Sequence, residues 1–161
     1  MINIEQSEIE NYLGLYEPNY RLIKNATYDA GLLKAELVPF RYVFTTEDLD
    51  YITATQIHLY LSQLTYILVA KCLKDKEYDI ISKHISFEEF VNKMYAGRLF
   101  FVNINQKMKK IIYKNELPII AELKVHSFRH LNDTGFCEID FKISDDACIG
   151  NLLISMKIEK N

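Results

Sequence analysis

Asp48, Asp50, Tyr51, Thr53, Gln56, His58 and Ser62 fall within one short stretch, TTEDLDYITATQIHLYLS. A helix that starts at Thr53 leaves its first-turn N–H groups without intrahelical partners. Those groups and the helix dipole stabilise negative charge growing on a carbonyl oxygen. Turnover at such a carbonyl also needs a base, ordinarily Asp, Glu or His. The candidates are His58, Asp50, Asp48 and Glu47. Gln56 is not among them, because an amide has no useful pKa. His58 and Ser62 are i, i+4 neighbours and share a helical face. That spacing allows a His–Ser pair, while the plainer reading is a core histidine bonded to a neighbour. Asp48 and Asp50 also suit the simpler role of acidic residues ahead of a helix N-terminus. The Tyr51 hydroxyl could orient a carbonyl or a water, or the ring could simply pack. Tyr42, Tyr60 and Tyr66 read as packing residues.

The element that must position this set is a helix within Tyr51–Ala70, a run without a formal charge in a chain that is 25% charged. Thr53-Ala54-Thr55-Gln56 has capping-box spacing, in which the Thr53 hydroxyl and the Gln56 amide each satisfy a backbone N–H. No Pro or Gly interrupts the run, and Lys71 stands at its end, where the dipole favours a cation. Ile57, Leu61, Leu64 and Leu68 form one apolar stripe, with Leu59, Ile67 and Ala70 on others, which is the pattern of a buried helix. The length would suit a membrane span, but Thr53, Thr55, Gln56, His58, Ser62, Gln63 and Thr65 are too many polar groups for hydrocarbon. They crowd the N-terminal half, so the far end reads as core and the near end as the border of a polar site.

Around this helix the chain reads as follows. Gln6–Leu13 is a short helix, and Glu17-Pro18-Asn19 a turn. Arg21–Tyr28 leads into an extended segment, Leu32–Thr45, where Leu33, Ala35 and Leu37 alternate with Lys34 and Glu36. Pro39 interrupts it, and Phe40, Tyr42 and Phe44 then alternate in turn. Ser86–Ala96 is a second short helix, capped by Ser86 and Glu89 and ended by Gly97. Leu99–Asn105, Ile119–Phe128, Phe136–Ile143 and Cys148–Ile158 read as half-solvated antiparallel strands. Asn132–Gly135 and Asp145-Asp146 are turns. Residues 1–161 therefore read as one domain, with residues 1–30 a helical lead-in. The fold class is α+β: a single long helix wrapped by a curved antiparallel sheet, the layout of a hot-dog fold.

Composition narrows the function classes. The 161 residues are 49% hydrophobic and carry a net charge of −3, so they describe a globular protein with no electrostatic pull toward nucleic acid. The N-terminus lacks the basic and apolar regions of a signal peptide, which points to a cytoplasmic chain. Cys72, Cys137 and Cys148 have no CxxC spacing and read as buried, reduced thiols. No metal set and no nucleotide-binding glycine motif is present, so no cofactor is expected. His126 and His130 read as surface residues. Lys107, Lys109, Lys110 and Lys114 form a basic stretch between strands. It is either a solvated loop or a contact for the phosphates of a coenzyme A or carrier-protein arm.

The run TATQIHLYLSQLTYILVAK, with FTTEDLDYI before it, resembles the central-helix motif of FcoT-like long-chain acyl thioesterases and the related enoyl-thioester glycine-adding enzymes. Ala54 matches the family's alanine, Gln63 its glutamine and Tyr66 its tyrosine. LYEPNYRLIKNATY looks like the family's N-terminal lead-in. Where the family has a loop histidine this chain has Tyr51. Its first asparagine is replaced by Thr53, its glutamate by Gln56 and its later asparagine by Ser62, all still polar. The resemblance implies a hot-dog homodimer acting on acyl-coenzyme A or acyl-carrier-protein thioesters, as a thioesterase or an enoyl/hydroxyacyl-thioester lyase-type enzyme. Thr53, Gln56, Ser62, Gln63 and Tyr66 would then contact substrate, with His58, Asp50 or Tyr51 in the chemistry. The alternative is a non-catalytic hot-dog protein that binds an acyl chain or a carrier protein, or supports an assembly. A tunnel from the surface to the Thr53 end of the helix, with a carboxylate or His in reach, favours the enzyme. Side chains filling the space around Thr53, Gln56 and Ser62 defeat the enzyme reading.

Overall fold

The computed structural model describes residues 1–41, 45–75, 78–95 and 99–158. Strand β1 (Ile2–Asn3), helix α1 (Gln6–Tyr12) and a 3-10 turn (Pro18–Tyr20) lead into strands β2 (Ile23–Asp29) and β3 (Leu32–Leu37). The long helix α2 (Ala54–Lys74) and helix α3 (Phe87–Tyr95) follow. Strands β4 (Leu99–Met108), β5 (Ile119–Leu131), β6 (Thr134–Ile143) and β7 (Cys148–Lys157) complete the chain. The strands form one curved sheet in the order β1-β2-β3-β5-β6-β7-β4, antiparallel at every pairing.

The capping box at the head of α2 is formed: the Thr53 hydroxyl accepts from the Gln56 amide at 3.2 Å, and Gln56 Oε1 accepts from the Thr53 amide at 2.9 Å. Beyond it, Leu61, Leu64, Ile67, Leu68 and Val69 are fully buried. They meet the inward faces of the strands, where Leu33, Ala35, Ala121, Leu123, Ile139 and Ile154 are buried in the same core. The intervening residues face outward and pair by charge, as Glu122 does with Lys34 and Lys142. The period-2 alternation places the faces of β6, of β7 from Leu152 and of β5 up to Val125 as expected, whereas register irregularities break it in β4 after Phe101 and in β5 after Val125.

Two segments depart from expectation. The lead-in is helical only in part, because β2 pairs with β3 across a two-residue turn at Ala30-Gly31, where both residues have positive φ. The extended segment from Leu32 leaves the ladder after Leu37, and its predicted continuation through Tyr42, Val43 and Phe44 lies outside the described residues. Pro39 has no N–H for a ladder. The carbonyls on either side of it are taken by α2 instead: the Tyr60 hydroxyl donates to Val38 O at 2.9 Å and Gln56 Nε2 to Phe40 O at 3.0 Å. The second short helix is capped as expected, with the Ser86 hydroxyl accepting from the Glu89 amide; Gly97 lies outside the described residues.

Helix α1 is tied to the far end of α2 by charge. Glu8 pairs with Lys71 at 3.3 Å and with Lys74 at 3.1 Å, and accepts from the Tyr12 hydroxyl. Burial works to raise the Glu8 pKa, but the bonds from Tyr12, Lys74 and Lys71 prevail and hold it below 4.5. A carboxyl lowered in the folded state adds stability above its unfolded pKa and loses it as pH falls through the folded value. The Glu8→Gln variant should therefore be less stable than the parent near pH 7 and converge with it under strong acid, read from urea unfolding across that range. A gap that widened on acidification would contradict this. Gly150 sits where a Cβ would collide with the Asn105 carbonyl of the paired β4. Gly150→Ala should cost about 1–3 kcal/mol, visible as a lowered Tm.

Candidate functional site at the head of the long helix

The first turn of α2 opens onto the surface. Tyr51, Ile52, Thr53 and Ala54 form one wall of a depression of about 570 Å³, and Met108, Lys109, Lys110 and Ile111 form the other. Backbone bonds fix both walls. Ile52 N donates to Ile112 O at 2.8 Å and Lys114 N to Asp50 O at 2.7 Å, while Tyr51 and Tyr113 form an isolated bridge. Lys109 N and Lys110 N both donate to Ala147 O, at 2.7 and 3.2 Å. The amides of Ala54 and Thr55 have no partner among the described residues, and both residues are exposed. Two orphan N–H groups and the positive end of the dipole thus meet solvent beside Lys109 and Lys110. The arrangement suits a carbonyl gaining negative charge, or an anionic group near it. The Lys114 ammonium is paired with Asp48.

The residues singled out from the sequence separate into two groups along the helix. Tyr51 and Thr53 line the depression, and the Asp50 side chain is exposed beside it. Gln56 is buried behind the cap with its amide shared between Thr53 N and Phe40 O. His58 is exposed, one turn past Ala54 on the same face; it is not a core histidine. Its expected partner Ser62 is engaged elsewhere, 2.6 Å from the Tyr16 hydroxyl. Gln63 is fully buried: Oε1 accepts from Leu22 N at 2.8 Å and Nε2 donates to Tyr20 O at 2.6 Å. Tyr66 packs against Tyr16, with ring centroids 6.2 Å apart. Ser62, Gln63 and Tyr66 therefore lie beneath the segment from Tyr16 to Leu22. The space is open at Thr53 and filled at Gln56 and Ser62. Met108 and Ile111 were missed as wall residues. The signal for them was the mixing of lysines with apolar residues in QKMKKIIYK.

Burial pushes the Tyr16 phenol up, against the opposing bond with Ser62, and raises Tyr60 as well. Tyr66 is pushed up to about 12, by burial and then by Tyr16. None of the three serves as a phenolate base near neutral pH. Burial likewise raises Cys72 to about 12 and Cys148 to about 11, and raises Cys137, so the thiols are poor nucleophiles. Among the described residues no group of three or more His, Cys, Asp or Glu could hold a metal ion, and no helix is long and apolar enough to cross a membrane.

No protein-family model matches the chain, and no curated protein matches its sequence. Solved structures do match its shape. A mutant of the thioesterase PA1618 from Pseudomonas aeruginosa superposes with a TM-score of 0.59 at 13% identity, covering 97% of this chain and 96% of that one. The hypothetical protein SAV2348 from Staphylococcus aureus, in complex with CoA, gives a TM-score of 0.46 at 8% identity over 83% and 77% of the two chains. The fold is the α+β hot-dog fold, a long helix wrapped by a curved antiparallel sheet.

Gln63 offers a direct check on how α2 uses its polar side chains. Gln63→Ala strands a buried N–H at Leu22, while the part-buried Tyr20 carbonyl can turn to water. The unpaired N–H costs about 1–3 kcal/mol, a loss that urea unfolding should show. A near-neutral effect would mean that Gln63 is not a staple of the fold.

Proposed function

We propose that this chain acts on acyl thioesters, binding the thioester carbonyl at the head of α2, as a thioesterase or an enoyl/hydroxyacyl-thioester lyase-type enzyme. The observation that carries this reading is the pair of unpartnered amides at the exposed first turn, Ala54 and Thr55, of which Ala54 lines a depression flanked by Lys109 and Lys110. In hydrolysis, water adds to the carbonyl carbon, charge grows on the carbonyl oxygen, and the C–S bond then breaks. Preorganised N–H donors at that oxygen are worth about 10²–10³ in rate each. His58, exposed one turn along, is the side-chain type suited to moving the proton near neutral pH, with Asp50 the second candidate. Tyr51 and Thr53 shape the wall. Gln56, Ser62, Gln63 and Tyr66 act on the site through packing and hydrogen bonds that hold α2 in place.

The positive mouth suits the phosphates of a coenzyme A or an acyl-carrier-protein arm. We propose the homodimer contact at the N-terminal half of β4, an edge of the sheet where Phe100 and Val102 are exposed. A non-catalytic binding role is favoured by one observation: no carboxylate or histidine lines the depression itself.

Ala54→Pro tests the carbonyl site. Pro is tolerated at the first helical position, and Thr53, at φ −83° and ψ 162°, already has the backbone that a following Pro requires. The variant should keep its Tm. Intact-mass analysis with a panel of acyl-coenzyme A and acyl-carrier thioesters should show parent turnover and a roughly 10²–10³-fold loss in the variant. Binding without turnover by the parent would leave the non-catalytic role. Neither binding nor turnover would overturn the thioester reading.

A further inference from the structure

The segment 107–118, KMKKIIYKNELP, takes in the last two residues of β4 and the connection to β5, and carries the far wall of the depression. It combines two surface properties. Lys107, Lys109 and Lys110 are exposed in a chain whose net charge is −3. Between and beyond them, apolar side chains also face solvent: Met108 is 39% exposed, Ile111 58%, Tyr113 37% and Leu117 62%. Tyr51, 40% exposed, extends this apolar rim through its bridge to Tyr113. The only acidic residue in the segment is Glu116, and Lys114 is already paired with Asp48.

We infer that the 107–118 segment docks the protein onto an anionic lipid surface, with Ile111 and Leu117 entering the acyl boundary and Lys107, Lys109 and Lys110 meeting lipid phosphates. The inference goes beyond the thioester reading and stands without it. Charge complementarity selects an anionic partner. The apolar side chains select one that accepts projecting aliphatic groups, and tyrosines suit the water–lipid boundary. A folded protein partner would need a matching cavity for each projecting side chain, whereas a bilayer deforms around them. A second copy docking through this loop about a two-fold axis would bring the three lysines against their own images, which is repulsive. Docking would set the head of α2 at the lipid surface.

Co-sedimentation with vesicles of phosphatidylglycerol and phosphatidylcholine in equal parts, and of phosphatidylcholine alone, tests this. The parent should bind the anionic vesicles, release in high salt, and ignore the neutral ones. Lys107→Gln and Lys110→Gln should each weaken partitioning about fivefold. Ile111→Ser with Leu117→Ser, both at exposed positions, should keep the parent's Tm and lose binding further. No binding to anionic vesicles overturns the inference, and capture by an acidic carrier protein in its absence reassigns the loop to that partner. Anionic binding that survives the double serine variant unchanged overturns insertion.

Discussion

A polar side chain placed inside an apolar core must find hydrogen-bond partners there, and α2 depends on this constraint. Gln56 and Gln63 are buried on a helix otherwise packed with Ile, Leu and Val. Each amide carries a carbonyl oxygen and an NH2 with two N–H donors, and each makes one bond through its oxygen and one through its nitrogen to backbone outside the strands. Gln56 closes the helix cap and holds Phe40; Gln63 holds Tyr20 and Leu22. Tyr60 and Ser62 extend the same device to Val38 and Tyr16. The helix is thus both the core of the fold and the anchor for two irregular crossings. An unpaired buried amide costs more than a lost contact, so these crossings have little freedom to drift.

That anchoring leaves the head of α2 open. With Gln56 closing the cap from behind, the amides of Ala54 and Thr55 are left without a partner among the described residues, on an exposed turn. The pre-helix segment is held by 112–114 and the opposite wall by Ala147, so backbone hydrogen bonds fix both walls of the depression. Preorganised donors of this kind need no rearrangement when charge develops before them, which is why such sites favour carbonyl chemistry. The basic, partly apolar rim adds a second property, an affinity for surfaces that are anionic and greasy at once.

Much of the fold was legible in advance. The Thr53–Gln56 cap, the charge-free run behind it and the alternation of β6 and of most of β5 and β7 each follow from local rules that packing here reinforces. The strand β2 was not, since Ile23–Asp29 follows a turn and a register irregularity between Ile23 and Asn25 blurs its alternation. The end of β3 was set by competition: α2 side chains claim the carbonyls that a longer strand would have used.

The candidate site divides in the same way. Sequence alone determined that a capped helix begins near Thr53, that its first amides lack intrahelical partners, and that His58 lies one turn on. These are consequences of helical period and capping, which residue types express locally. Only the tertiary structure decided which polar side chains remained available. Gln63 and Ser62 look as suited to a ligand as Thr53 does, but a hydrogen-bond partner 41 or 46 residues away in the chain cannot be read from helical spacing. Nor can the approach of Met108–Ile111, which makes an exposed helix end into a walled depression by long-range backbone bonding.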